Sequence, residues 1–146
     1  MGPLDALVAQ GAVVTFAGSV RRLLSSYAGS SIRLRGNGAG SPEADIPFVA
    51  NGDLDLTAAA AAAAASGGTV AFGRTWYDQG ETLDATQATE VNQMVFSTAI
   101  EAKGGFGDGT ADAAVFFDLN LGTIPVPSFF LFVVNTGASS SAKLLV

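Results

Sequence analysis

The side chains able to do chemistry in this chain are few, and they are almost all carboxylates. With no His and no Cys, imidazole and thiolate metal sites, disulfides, thiol nucleophiles and His-based triads are excluded. Acid–base work would fall to pairs of Asp and Glu, the chemistry on which glycoside hydrolysis runs. Asp78 and Asp84 flank one turn, and Glu43, Asp45, Asp53 and Asp55 surround an earlier one. Asp78 and Gln79 end an apolar stretch just before a polar turn, so a role in bonding that turn's backbone N–H groups competes with catalysis and is favoured over it. Trp76 and Tyr77, adjacent on the same stretch, must point to opposite faces of a strand, one toward the core and one partly exposed. An exposed ring there could stack on a sugar, so Trp76, Tyr77, Asp78 and Gln79 form the candidate site, as a structural turn and a glycan platform. Asn51-Gly52-Asp53-Leu54-Asp55 faintly resembles a calcium loop but lacks the Gly and distal Glu of an EF-hand. Gly105-Phe106-Gly107-Asp108-Gly109 has no following Lys-Ser or Lys-Thr and is no phosphate cradle. No residue pattern calls for a cofactor.

The elements that must carry these residues read as mainly β. The 146 residues fit one domain, 1–146, with residues 1–17 as an apolar lead-in, extended or irregular because Gly11 interrupts it. A short helical turn is expected from Ser19 to Leu24, capped by Ser19. Ser31 to Arg35 alternates apolar and polar residues, which predicts a strand with Arg33 and Arg35 on its solvated face. As a binding surface these two arginines would instead meet an acidic partner. Further strands are expected at Ile46–Val49, Thr69–Asp78, Met94–Ser97, 113–118, 129–135 and 142–146. The eight alanines Ala58 to Ala65 predict a short helix capped by Asp55 or Thr57 and ended by Gly67-Gly68. Phe129 to Val134 is apolar on both faces, so it needs cover above and below, within the chain or from a second subunit. Phe130, Phe132, Leu144 and Leu145 are the expected contact residues of an oligomer, a trimer ahead of a dimer.

Net charge is −6, and four of the seven basic residues are Arg21, Arg22, Arg33 and Arg35. The remainder is acidic, which argues against a nucleic-acid partner. No apolar run approaches the roughly 18 residues of a membrane span, and Met1 to Val20 has its charges in the wrong order for a signal peptide.

Two motifs carry a resemblance. Arg74-Thr-Trp-Tyr-Asp-Gln-Gly-Glu-Thr-Leu-Asp-Ala-Thr-Gln87, preceded by Arg21-Arg-Leu-Leu-Ser-Ser-Tyr-Ala-Gly-Ser-Ser-Ile-Arg-Leu-Arg35, resembles the concanavalin-A-like catalytic domain of α-L-arabinofuranosidase B and related domains of bacteriophage structural and bacterial surface proteins. The resemblance runs from about Leu4 to Gln93. It implies a jelly-roll or concanavalin-A-like β-sandwich, truncated, with one or two short helices. In the hydrolase the catalytic carboxylates lie downstream of the matched region, so none carries over to this chain. The resemblance therefore implies a non-enzymatic virion protein, such as a capsid decoration or appendage protein on the outer surface, made in the host cytoplasm. Its partners would be itself and other virion proteins, with a carbohydrate-binding tail or cell-surface module, or a glycoside hydrolase fragment, as alternatives.

Overall fold

The computed structural model describes residues 1–14, 16–97 and 105–106. They form one antiparallel sheet with a helix on one face. In chain order the elements are α1 (Asp5–Ala9), β1 (Ile32–Gly36), β2 (Glu43–Ile46), α2 (Leu56–Ala64), β3 (Ala71–Trp76), β4 (Ala85–Thr86), β5 (Val95–Ser97) and β6 (Gly105–Phe106). The sheet order is β2-β1-β3-β5-β6, and β4 pairs with β3 beyond the end of β5. The expected strands at 113–118, 129–135 and 142–146 lie outside the described residues. No helix among the described residues is long and apolar enough to cross a membrane.

The two faces of the sheet differ in chemistry. Ile32 and Leu34 alternate onto one face, opposite Ile46 and Ala44 of β2, and both are fully buried. With Leu54, Ala59, Ala62, Ala71 and Phe96 they make the core under α2, and Trp76 packs against its side. An even alternation along β3 would put Trp76 on the face away from Ala71. The pairing instead moves from Arg33 opposite Thr75 to Leu34 opposite Gly73, passing over Arg74. This β-bulge resets the parity, so Trp76, opposite Ile32, returns to the helix-covered side.

α2 starts where Asp55 accepts a 2.9 Å bond from the Ala58 N–H, satisfying one of the unpaired donors of the first turn. Its alanines let it lie close to the sheet. A Cβ on Gly36 would stand 2.8 Å from the Ala62 carbonyl oxygen, so the strand must be bare where the helix crosses it.

The other face carries charge. The guanidinium of Arg33 donates to both carboxylate oxygens of Asp45, at 2.7 and 2.9 Å, and Arg74 lies 3.2 Å from Glu43. Arg35 departs from the expected solvated face and is only 7% exposed. The segment following β4 folds over it. Arg35 donates to Gln93 at 2.7 Å, lies 3.8 Å from Glu90 and stacks over Phe72, with 4.8 Å to the ring centre.

Three other expectations are corrected. The lead-in contains the helix α1, which ends just before Gly11 (φ +89°). Ser19 to Leu24 is not helical, because its backbone groups bond elsewhere: the Arg22 N–H donates to the Gly52 carbonyl at 2.7 Å, and Arg21 forms a β-bridge with Asp53. The strand expected at Ile46–Val49 lies earlier, at Glu43–Ile46. Pro47, which has no N–H, directly follows its end.

Candidate functional site

The Trp76–Gln79 segment turns away from the end of β3 and carries two polar side chains into the interior. Asp78 and Gln79 are each only 2% exposed. Oδ1 of Asp78 accepts from the Ala17 N–H at 2.7 Å and from the Gly80 N–H at 2.8 Å. Oδ2 accepts from the Thr82 N–H at 3.0 Å, the Thr82 hydroxyl at 2.8 Å and the Leu83 N–H at 3.1 Å. The N–H of Asp78 itself donates to Asp84 at 2.9 Å. Burial pushes this carboxyl's pKa up, but the bonds from Gly80, Ala17 and Thr82 outweigh it and hold the group below the usual Asp value.

Gln79 works in the opposite direction along the chain. Its carbonyl oxygen accepts from the Leu23 N–H at 2.6 Å, and its amide donates to the Arg21 carbonyl at 2.9 Å. Its own N–H donates to the Ala17 carbonyl at 3.1 Å. Two adjacent polar side chains thus clamp a turn of 80–83 on one side and the 17–24 segment on the other. The first turn of the chain joins the same corner. Asp5 accepts from the Gly2 and Ser25 N–H groups, and the Leu4 N–H donates to the Leu23 carbonyl at 2.9 Å. The Ser25 bond is the main cause holding the Asp5 carboxyl below its usual value.

The aromatic residues frame this corner. Trp76 is half-buried on the core side. Tyr77 is half-buried on the other, where its hydroxyl donates to Asp45 at 2.6 Å. Burial first, then that bond to a carboxylate, pushes the Tyr77 phenol up. Arg33, 5.9 Å from the centre of the Tyr77 ring, occupies one ring face. The Arg33 bond is the leading cause lowering Asp45.

Tyr27 is buried and donates to the Ser30 carbonyl at 2.8 Å. A Cβ at Gly29 would fall 2.4 Å from that phenol oxygen, so the Tyr-Ala-Gly corner needs its glycine. Burial, then the negative charges of Asp84, Glu81 and Asp78, push the Tyr27 phenol up. An open hollow of about 340 Å³ lies here, lined in part by Tyr27, Tyr77, Glu81, Thr82 and Asp84.

Of the residues singled out from sequence, Trp76, Tyr77, Asp78 and Gln79 come together at this corner. Arg33 joins them through Asp45 and Tyr77, whereas Arg35 lies apart under the 87–93 segment. Phe130, Phe132, Leu144 and Leu145 lie outside the described residues. The carboxylates of the earlier turn have local work: Asp55 caps α2, and Asp53 accepts from the Asn51 amide at 3.0 Å beside Arg21. Sequence reasoning placed Tyr27 in a motif but missed Thr82 as a member of the corner, and a Thr four residues after a buried Asp is the signal that could have found it.

Comparison of the chain with protein-family models, with curated proteins and with solved structures finds no match.

Proposed function

We propose that this chain is a non-enzymatic structural protein of a bacteriophage virion, a decoration or appendage protein that works through protein–protein contacts. The observation that supports its non-catalytic character is the use made of Asp78. A carboxylate acting as acid, base or nucleophile needs an oxygen directed at substrate. Both oxygens of Asp78 are instead committed to internal donors. Asp45 is likewise held between Arg33 and Tyr77. The virion assignment rests on the two-motif resemblance, and self-association on the apolar pattern of Phe129 to Val134 and of Leu144 and Leu145.

Two measurements test this reading. Purified protein incubated with aryl arabinofuranosides and arabinan is expected to release only background product, and turnover above background overturns the non-enzymatic assignment. Sedimentation at micromolar concentration is expected to show a trimer or dimer, and a monomer without affinity for virion proteins overturns the assembly role.

The hollow beside the corner favours a second reading, a carbohydrate-binding module. Glu81, Thr82 and Asp84 offer hydroxyl-binding groups next to two phenol rings. Glycan binding lost in Glu81→Gln, with unchanged thermal unfolding, would favour that reading over the first.

A further inference from the structure

The fold treats the arginines of this acidic chain in two ways. Arg33 donates to Asp45, Arg74 lies 3.2 Å from Glu43, and Arg21 and Arg35 each lie 3.8 Å from a carboxylate, those of Asp53 and Glu90. Arg33 and Arg35, the two expected to meet an acidic partner, are thus already met from within. Arg22 has no carboxylate within ion-pair distance among the described residues. The two remaining basic residues, Lys103 and Lys143, lie outside them.

Arg22 is nevertheless held in place. Its N–H donates to the Gly52 carbonyl at 2.7 Å, and its guanidinium carbon stands 5.3 Å from the centre of the Phe48 ring. Phe48 is buried with Leu24 and Tyr27, and the Tyr27 ring meets it edge-on at 6.3 Å. Nε of Arg22 is enclosed and has no hydrogen-bond partner among the described residues. A freely solvated arginine would swing outward and hydrate that nitrogen, because an unsatisfied buried donor is costly. This one stays over the ring, and its two terminal nitrogens, which are not enclosed, are the donors left for a partner.

A guanidinium oriented by an aromatic ring and not neutralised by its own chain is suited to a carboxylate that arrives from outside. The chain has 13 acidic residues against seven basic ones, so a second copy brings carboxylates in surplus. The same imbalance makes two copies repel. Contact between them needs a cation that internal pairs have not already neutralised, and among the described residues Arg22 meets that need.

We propose that Arg22, seated on Phe48, anchors the contact between copies of this chain by donating from its terminal nitrogens to a carboxylate of the neighbouring copy. This role rests on the self-association proposed above, and adds to it a residue and the chemistry of the contact.

Sedimentation equilibrium of the purified chain, at low and at high salt, is the test. Wild type is expected to self-associate, and Arg22→Gln to weaken the association at least about tenfold, the scale of a lost charge-assisted hydrogen bond. Arg74→Gln removes the same charge, but from an internal pair, and is expected to leave association within about twofold. If Arg22→Gln fails to fold, Arg22→Met, whose unbranched side chain still covers Phe48, carries the same expectation. High salt should narrow the gap between wild type and the Arg22 variant, and a gap that does not narrow overturns the ionic contact. An oligomeric wild type with equal losses in the Arg22 and Arg74 variants, or with none in either, overturns the anchoring role and leaves self-association standing. A monomeric wild type overturns self-association and the anchoring role with it.

Discussion

The core under α2 and the corner around Asp78 are two solutions to the same problem of fixing distant segments. The core joins strands and helix by apolar area, with Ile32, Leu34, Ile46 and Phe96 packed beneath alanines. Such contacts are non-directional, and their strength follows the area removed from water. The corner joins residues 17–24 to 78–84 by aimed hydrogen bonds to two side chains, each 2% exposed. Its bonds add little net energy while complete, but a missing acceptor leaves buried donors unpaired. The core should therefore degrade gradually and the corner abruptly.

Asp78→Asn is the sharpest way to break this comparison and carries the largest expected effect. An amide offers one acceptor oxygen where Asp78 offers two, so the donors aimed at the other oxygen would face an NH2 group. At about 1–3 kcal/mol for each unsatisfied buried donor, and at least the two donors on Oδ1 left unpaired, the loss is expected to be at least about 2 kcal/mol in chemical denaturation. That is a large part of a small domain's margin of about 5–15 kcal/mol. A loss below about 1 kcal/mol would show that the corner is no more demanding than surface structure.

Leu34→Ala samples the core at a fully buried position, with an expected cost of about 2–5 kcal/mol. Because the core is a matter of volume, Leu34→Met should recover most of the loss, at under about 1.5 kcal/mol. No such near-equivalent exists for Asp78, and a well-tolerated Asp78→Glu would erase the distinction.

Acid provides a smaller, graded test. The Asp78 carboxyl lies below its ordinary value in the fold, so it contributes stability that is complete above the unfolded pKa and is lost as pH falls through the folded one. Asp5 and Asp45 are shifted in the same direction and add to the trend. Melting temperature, in respect of these groups, is expected to stay level down to about pH 5 and to fall below the ordinary Asp pKa of about 3.9. The fall should be shallower in Asp78→Asn, and an identical slope would remove Asp78 from the account.

The smallest effect is expected at the exposed face of the sheet. Arg33→Ala breaks a bidentate pair whose side chains are both well exposed, and should cost no more than about 1 kcal/mol, less at high salt. A larger loss would mean that the Arg33, Asp45 and Tyr77 cluster supports the corner itself.

Local pattern was enough to read several elements. β1 follows from the alternation of Ile32 and Leu34 with arginines, and α2 from an alanine run between Asp55 and Gly67-Gly68. The turn role of Asp78 follows from a carboxylate at a strand end. These depend on interactions within a few residues, which the order of amino acids specifies directly. The non-helical course of Ser19 to Leu24 was not legible, because its bonds go to Gln79 and Gly52, far along the chain. Nor was α1, a five-residue helix with no buried residue of its own, held where Asp5 and Leu4 meet Ser25 and Leu23.

By itself, the sequence determined which chemistries are absent, where the strong helix and the first strands lie, and that Asp78 and Gln79 begin a turn. Tertiary structure alone decided that Arg35 is enclosed beneath the 87–93 segment and that a bulge at Arg74 returns Trp76 to the core side. It also decided that Ala17, 61 residues before Asp78, supplies one of its donors. The reason is geometric. Periodicity records which face a residue prefers, but a single bulge reverses that face, and a hydrogen bond across the fold depends on positions that only the packed chain defines.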